Sequence, residues 1–304
     1  MSEYLETVDA CVDRTIEAVG RDLVVGAPLG LGQPVQLLNA FFRRVAADPT
    51  LSLHIYTAVS LEKPVPATHI EAGLAGPIID RLFGDFEDLD YMQAIQAGEL
   101  PENIQVSELY FKAGSMKKVP MAQQNYISSN YTHIVRDMRG LGVNVFVQMV
   151  AARDTERGPT LSLSSNADIT LEIVEAARQE PDRPFVSIAQ IHPDMPFMEH
   201  DAEVGGDFFD LVVRNPAYDK TLFAVPNAAV PLQDYAAAVH ASSLVPDGGT
   251  LQIGIGSLGD AIAHACIGRH EHSADYRAMV EALTHQKSPL QEDGGPFEQG
   301  LYVS

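Results

Sequence analysis

A glycine-rich turn near the end of the chain has the residue types and spacing of an anion-binding loop. The segment Thr250–Ile262 runs from an apolar strand through Gly254, Gly256 and Gly259 into a predicted helix. Because glycine has no Cβ, the backbone N–H groups of such a turn can approach an anionic ligand closely. The candidate ligand-binding residues of this turn are Gln252, Gly254, Gly256 and Ser257.

The same three glycines also spell G-x-G-x-x-G, the pattern of dinucleotide-binding proteins. That pattern needs a βαβ unit of about 30 residues, with an acidic residue about 20 positions on. Here the helix is predicted to end near Cys266, Gly268–Ser273 is polar and turn-like, and Asp275–Leu283 is predicted to be another helix. A nicotinamide-dependent oxidoreductase is therefore a weaker hypothesis that rests on the glycine pattern alone.

A second glycine turn, with Gly30 and Gly32, lies between a predicted strand, Leu23–Ala27, and a predicted helix, Pro34–Ala47. Two interpretations are open. The glycines could serve only a tight strand–helix turn, or the turn could line a ligand pocket.

Other residues with catalytic potential lack the context that their chemistry needs. Ser164 and Ser165 lack the G-x-S-x-G elbow of serine hydrolases, so a serine nucleophile is disfavoured. The histidines His264, His270 and His272 are close in sequence, but they flank a charged loop and are interpreted as solvated surface. No metal site is predicted.

The rest of the chain alternates between predicted strands and helices. Val143–Val150 is almost continuously apolar, as buried parallel strands are. A helix through Ala177 is predicted to be capped by Asn166 or Asp168. The other predicted elements are strands at Leu51–Ala58, Phe185–Ile191, Phe208–Val213 and Leu251–Ile255 and a helix at Pro231–Leu244. This alternation predicts an α/β protein with a mainly parallel sheet and flanking helices.

Composition limits the kind of partner. The chain has 304 residues, enough for one large domain or two ordinary ones, and carries a formal net charge of −21. Such a charge repels nucleic acid and anionic membranes, so neither is an expected partner. Cys11 and Cys266 are isolated and are predicted to be reduced, packed thiols. The polar start and the lack of any apolar run of ~18 residues predict a cytoplasmic protein.

Four segments, in order over nearly the whole chain, resemble one known family. They are Val25–Pro34 with Leu53–Ala58, Asp154–Gly158 with Leu161–Asp168, His192–Pro196, and Asp247–Ser257. In these segments the chain resembles the acetyl-CoA hydrolase and 4-hydroxybutyrate CoA-transferase family of the class I CoA-transferases. The resemblance implies a CoA-transferase-like fold, with a first domain over residues 1–225 and the beginning of a second over 226–304.

The same resemblance implies a substrate and a pocket. The substrate is an acyl-CoA, the acceptor is a small carboxylic acid or water, and no cofactor is permanently bound. Gly30 and Gly32 would line the CoA or acyl pocket, and the turn at Gly254 would lie near the same ligand. Coenzyme A is anionic, so local donors must recruit it against the charge of the chain. His192 stands where the family usually has Asn, and Asp154–Gly158 is expected to shape a turn rather than to catalyse.

The family nucleophile does not fall within this sequence. Class I CoA-transferases use a glutamate carboxylate that forms a mixed anhydride and then a glutamyl-CoA thioester. The family places it in a motif Leu-Gly-Ile-His-Thr-Glu-Met, and aligning Gly300–Ser304 with that motif puts the glutamate about two positions beyond Ser304. Glu298 precedes the strand and does not match, so no catalytic residue is assigned. The chain resembles the N-terminal half of a family member.

Two expectations follow from the missing nucleophile. The isolated chain is expected to fold but to lack activity, and a homodimer is compatible with the pattern. A non-catalytic subunit or binding module, complete at Ser304, remains an open alternative.

Overall fold

The computed structural model describes residues 2–111, 114–156, 158–223, 229–284 and 288–303. The chain divides into two compact units, Met1–Ala224 and Val225–Ser304. The predicted domain boundary at residue 225, Arg157 of the predicted turn and Ser304 of the predicted last strand lie outside the described residues.

The first unit alternates strands and helices along most of its length. Its elements are β1 (Glu3–Leu5), α1 (Val8–Val19), β2 (Asp22–Gly26), α2 (Val35–Ala47), β3 (Ser52–Thr57), α3 (His69–Phe83), α4 (Asp90–Ala97), β4 (Ile104–Glu108), α5 (Pro120–Gln124), α6 (Tyr131–Gly140), β5 (Val145–Thr155), β6 (Gly158–Ser162), α7 (Thr170–Arg178), β7 (Val186–Ile191), β8 (Glu203–Gly205) and β9 (Leu211–Val213).

Seven strands form one parallel sheet in the order β1-β9-β7-β5-β2-β3-β4. The strand β6 pairs antiparallel with the last part of β5, Ala151–Thr155, and β8 pairs antiparallel with β6. The predicted α/β fold with a mainly parallel sheet and flanking helices is confirmed. The predicted strands Leu23–Ala27, Leu51–Ala58, Val143–Val150 and Phe185–Ile191 overlap β2, β3, β5 and β7.

Both faces of the sheet are buried, which explains the apolar runs of its central strands. Val145 and Val147 pack into the core on one face, and Phe146 between them packs into the core on the other. Side chains of α1 and α2 fill the first core, whereas α6 and α7 cover the second. Alternate residues of one strand therefore anchor helices on opposite sides of the sheet.

The predicted turn after Asp154 is a hairpin between β5 and β6. Asp154 pairs with Pro159 and Thr155 with Gly158, whose φ of 109° is in a region that favours glycine. Thr155 Oγ1 donates to the Gly158 carbonyl at 2.7 Å. This segment has the structural role that the sequence predicted.

The described residues of the second unit form three helices and two short strands. They are α8 (Leu232–Ser242), β10 (Thr250–Leu251), α9 (Ser257–Glu271), α10 (Ser273–Leu283) and β11 (Tyr302–Val303). The two strands pair in parallel, Thr250 with Tyr302 and Leu251 with Val303. Small side chains, Ala238, Ala261 and Ala265, bring α8 and α9 together.

The structure corrects the prediction that the helix after the glycine turn ends near Cys266. Helix α9 continues through the polar segment to Glu271, and the chain reverses only at His272. The reason is Arg269, which is on the same face as Ala261 and Ala265 and is buried. A buried anchor in the last turn outweighs the local turn propensity of Gly268 and its polar neighbours.

Three further boundaries differ from prediction. The strand predicted for Leu251–Ile255 is limited to Thr250–Leu251, because β11 offers only two residues to pair with it. The strand predicted from Phe208 begins only at Leu211. Neither Asn166 nor Asp168 caps α7, whose N-cap is Ile169 without a side-chain bond. Asn166 is instead buried, and its carbonyl accepts from Gln148 Nε2 at 3.0 Å.

Cys11 and Cys266 are free and buried, as predicted. Burial raises the pKa of the Cys11 thiol to about 12. Across the described residues, no helix is both long enough and apolar enough to cross a membrane.

Candidate active site

A small cleft lies at the carboxyl edge of the first unit's sheet, at the point where the strand order reverses. From β2 the chain proceeds to β3 and β4 on one side, and then returns to β5, β7 and β9 on the other. Ligands of open α/β sheets bind at such switch points. The cleft is lined by Gly30, Leu31 and Gln33 after β2, Met149 of β5 and His192 after β7. Its volume of about 30 Å³ admits water or one small polar group.

The turn after β2 is held in place by side chains from the neighbouring strand. Thr57 Oγ1 donates to the Pro28 carbonyl at 3.0 Å. Gln33 Nε2 donates to Thr57 Oγ1 at 2.6 Å and to the Ala58 carbonyl at 3.1 Å. Gly30 has a φ of 58° and lies in the cleft wall. The turn thus presents its backbone to the cleft in a fixed position, and ligand binding by Gly30 stays a prediction.

Gly32 has a packing role behind that wall. A Cβ on Gly32 would lie 2.7 Å from Pro28 Cγ and 2.9 Å from Asn166 Cβ. The turn after β2 and the loop before α7 therefore touch at a point where only hydrogen atoms fit. Any ligand contact of Gly32 stays a prediction.

Replacing Gly32 with alanine is expected to destabilise the first unit by about 1–3 kcal/mol, because the proline ring and the buried Asn166 cannot both move aside. Urea unfolding of the purified chain measures the change. Gly73→Ala is the matched control, since a Cβ there meets nothing within 4 Å and alanine favours the helix by ~1 kcal/mol. Equal stability of the Gly32→Ala variant and the parent chain would contradict this packing role.

Amide side chains connect the cleft wall to the sheet. Gln190 Nε2 donates to Gln36 Oε1 at 2.7 Å, and Gln36 Nε2 donates to Glu87 Oε2 at 3.4 Å. Asn39 Nδ2 also donates to Glu87, at 3.2 Å. Gln190 Oε1 is buried and has no hydrogen-bond partner among the described atoms. The wall therefore contains the carboxylate of Glu87, held by amide side chains, and the buried acceptor Gln190 Oε1 lies behind it.

Both ring nitrogens of His192 make hydrogen bonds within the chain. Its Nδ1 accepts from the Asp194 N–H at 3.2 Å, so its proton is assigned to Nε2, which donates to the Lys220 carbonyl at 2.8 Å. Both ring nitrogens are therefore occupied and the ring is buried. His192 ties the turn after β7 to the segment at Lys220, and it is not placed to act as a base.

The segment that His192 holds is fastened at a second point. Lys220 Nζ lies 3.3 Å from Asp85 Oδ2. The backbone N–H and hydroxyl of Thr221 donate to Asp85, and together with Lys220 they lower the pKa of that carboxyl to about 2. Thr221 also lines the cleft. The segment at Lys220 and Thr221 is thus held at two points, by His192 and by Asp85.

Sequence reasoning missed a buried carboxyl group at the end of β4. Glu108 is 2% exposed and accepts from Ser60 Oγ, which also contacts the Tyr91 hydroxyl at 2.7 Å. Burial raises the pKa of Glu108 to about 7, although the bonds from Ser60 act in the opposite direction. Ser60 follows β3 and directly precedes Leu61 in the cleft wall. The sequence signal that could have identified Glu108 is a glutamate at the end of a strand with alternating apolar residues.

The glycine turn of the second unit is compact. Gly256 is the N-cap of α9 with a φ of 134°. A Cβ on Gly259 would lie 1.9 Å from the Gly254 carbonyl oxygen, so the turn folds directly onto the first turn of the helix. Gln252, Gly254 and Gly256 are exposed. Their predicted contact with a ligand stays a prediction.

Ser257 is already engaged within the chain. Its hydroxyl donates to Asp234 Oδ2 at 2.6 Å, which places a carboxylate beside the N-terminus of α9, where the helix dipole favours negative charge. The predicted ligand contact of Ser257 therefore requires its backbone N–H, or displacement of Asp234. The candidate residues of the two glycine turns lie in different units.

Three histidines and a serine are the other residues with catalytic or metal-binding potential in the sequence. His264, His270 and His272 are exposed, and His264 packs edge-on against Tyr235 with ring centroids 5.5 Å apart. Among the described residues, no group of three or more metal-binding side chains is arranged around a common point. Ser164 is buried, and its hydroxyl has no hydrogen-bond partner in the described structure. Among the described residues, no side chain is placed to take a proton from this hydroxyl.

Comparison with known proteins identifies solved structures with a similar fold. No sequence-family profile matches the chain, and neither does any curated protein. The chain is similar in fold to RipA from Yersinia pestis. The crystal structure of that protein matches with a TM-score of 0.55 and 18% identity, covering 88% of this chain and 54% of RipA. A point mutant of RipA matches equally, with a TM-score of 0.55 and 52% of its length covered.

A 4-hydroxybutyrate CoA-transferase from Porphyromonas gingivalis also matches, with a TM-score of 0.47 and 18% identity, over 87% of this chain and 51% of that one. The chain thus spans about half the length of the solved structures it resembles.

Proposed function

We propose that this chain belongs to a protein that transfers or hydrolyses acyl-CoA thioesters, with a small carboxylic acid or water as the acceptor. Coenzyme A enters as part of the substrate, and no cofactor is permanently bound. The catalytic glutamate is expected in a segment after Ser304. The intact enzyme is expected to be cytoplasmic.

One observation carries the proposal. Two of the four segments that resemble the CoA-transferase family, Val25–Pro34 and His192–Pro196, are far apart in the sequence but border the same cleft. That cleft is at the switch point of a parallel sheet, where α/β enzymes bind ligands. A third segment, Asp247–Ser257, forms the glycine turn at the start of α9. Two of the four segments thus meet at one cleft, which supports the proposal.

The residues of the chain have distinct parts in this proposal. The turn at Gly30 supplies a fixed backbone surface to the acyl side of the substrate, and Glu87 with its amide partners limits which polar groups can enter. In the second unit, the N–H groups at the start of α9 offer donors to an anion. Transfer and hydrolysis differ only in whether an acceptor acid or water attacks the glutamyl-CoA thioester.

The protein made from the complete reading frame tests this function. It is incubated with acetyl-CoA, with and without acetate, butyrate or succinate. Loss of thioester or formation of a new acyl-CoA is the expected result. No loss and no exchange with any acid would refute the proposal. Binding of acetyl-CoA without turnover would favour the non-catalytic subunit instead.

The chain of 304 residues by itself is expected to show no thioester turnover above background. The described carboxylate nearest the last strand, Glu298, is exposed and lies before that strand. Its backbone N–H is bound by Asp247 Oδ2 at 3.0 Å. Free thiol is followed after mixing the chain with acetyl-CoA. Turnover that disappears in Glu298→Gln would assign the nucleophile to Glu298 and contradict the expectation.

The nicotinamide hypothesis loses its structural basis. A dinucleotide site needs a strand after the helix that follows the glycines. Here α9 leads directly into α10, and the next strand in the described part of the chain is β11.

A further inference from the structure

Helix α3 exposes an apolar stripe that the proposed acyl-CoA chemistry does not use. Ile70, Leu74 and Ile78 are one turn apart on one face and are 83%, 78% and 58% exposed. The helix begins with an N-cap, in which Thr68 Oγ1 accepts from the Glu71 N–H, and Glu71 Oε2 accepts from the N–H of the preceding residue, Ala67. The stripe thus lies on a well-formed helix.

The helix is attached to the unit mainly at its end. Phe83 is buried in an aromatic cluster with Phe223, at a ring-centroid distance of 4.9 Å. Lys63 Nζ lies 3.7 Å from Asp80 Oδ1. A Cβ on Gly73 or Gly76 would meet nothing within 4 Å. Most of the helix surface is therefore open to a partner.

The sequence of this face is symmetric about the helix midpoint. Leu74 and Ile78 are equally far from Gly76 in the sequence, as are Glu71 and Arg81. With 3.6 residues per turn, each of these pairs also lies symmetrically on the face opposite Gly76. A two-fold axis through that face would place Leu74 against Ile78 of a second copy and Glu71 against its Arg81, twice each.

From this symmetry we propose that α3 pairs antiparallel with α3 of a second copy of the chain. The apolar side chains then meet at the centre, and opposite charges meet at both ends. The outward face of α3 has no cluster of basic residues, and the chain carries a net charge of −21, so an anionic membrane is a poor occupant. Two helices of 15 residues bury less than a standard interface, so the dimer is expected to be weak, with a Kd in the micromolar range.

Complementation between two variants tests the pairing. Leu74→Lys and Ile78→Glu each place a charge against an apolar side chain at two points, and each is expected to weaken self-association by about tenfold or more. In a mixture, the lysine of one chain meets the glutamate of the other, so a heterodimer is expected to form. Sedimentation velocity in about 0.15 M salt, which screens the charge of the two copies, measures all three samples.

The control is Leu232→Glu, which changes an exposed leucine of the second unit and is expected to leave the association intact. The proposal is overturned by a parent chain that stays monomeric up to about 100 µM. It is equally overturned if either single variant associates as strongly as the parent chain, or if mixing the two variants does not restore dimer formation. Slow hydrogen exchange on the outer face of α3 in a monomeric protein would assign the stripe to another occupant.

Discussion

Replacing Arg269 with alanine is expected to unfold the second unit or to destabilise it by about 3–5 kcal/mol. The guanidinium is buried and donates to the carbonyls of Gly295, Ser242 and Val245 at 2.9, 3.1 and 2.6 Å. It also stacks on the Phe297 ring, 4.2 Å from the ring centroid. The variant loses these contacts and leaves three carbonyl groups without their donor.

Hydrogen–deuterium exchange on the full chain measures this effect, because peptides from α8 and α9 report on the second unit alone. Arg277→Ala is the matched control: that arginine is exposed, and among the described residues its side chain makes one hydrogen bond, from Nε to the Asp293 carbonyl at 2.9 Å. Fast exchange in α8 and α9 of the Arg269 variant is expected, with little change in the control. Equal exchange in both variants would contradict the anchoring role.

The second large effect is a pH-dependent stability difference at Glu108. Burial raises the pKa of this carboxyl from 4.5 to about 7 in the folded chain. Below the unfolded value both states are protonated, and the contribution of the neutral acid to stability is fully present. That contribution is lost as the pH rises through about 7, because the folded state must then hold a buried carboxylate.

The variant Glu108→Gln has no proton to lose. Its stability relative to the parent chain is therefore expected to rise by about 2 kcal/mol between about pH 5.5 and pH 8. Urea unfolding of both proteins at the two pH values measures this change. Any pH-independent effect of the amide on stability cancels, because it is the same at both pH values. Glu102→Gln, at an exposed position, is the control and is expected to show no such rise. A constant difference for Glu108→Gln would mean that the carboxyl stays ionised.

The sequence alone was enough to predict those strands whose burial on both faces requires a continuous apolar run. The strands β2, β3, β5 and β7 are covered on both faces, so apolar runs mark them directly. The hairpin at Asp154 was also predictable, because turn residues act locally. The parallel arrangement followed from the alternation of these strands with helices.

Features that depend on tertiary partners were not predictable. The length of α9 is decided by Arg269, whose carbonyl partners are distant in sequence. Helix α3 is apolar on both its inner and its outer side and contains two glycines and a proline, so it has no amphipathic period to detect. The environment of Glu108 is formed by Ser60 and Tyr91, which are distant from it in the sequence. The contact between Gly32 and Asn166 likewise joins residues that are distant in the sequence.

The most direct test of the proposed acyl-CoA chemistry is to locate the covalent intermediate. The protein from the complete reading frame is incubated with acetyl-CoA, quenched and digested, and the peptides are searched by mass spectrometry for a CoA adduct. We expect a glutamyl-CoA thioester on a residue after Ser304, formed only with the acyl-CoA and removed by an acceptor acid. An adduct on a residue within this chain, or no adduct together with no exchange of CoA, would contradict the proposed function.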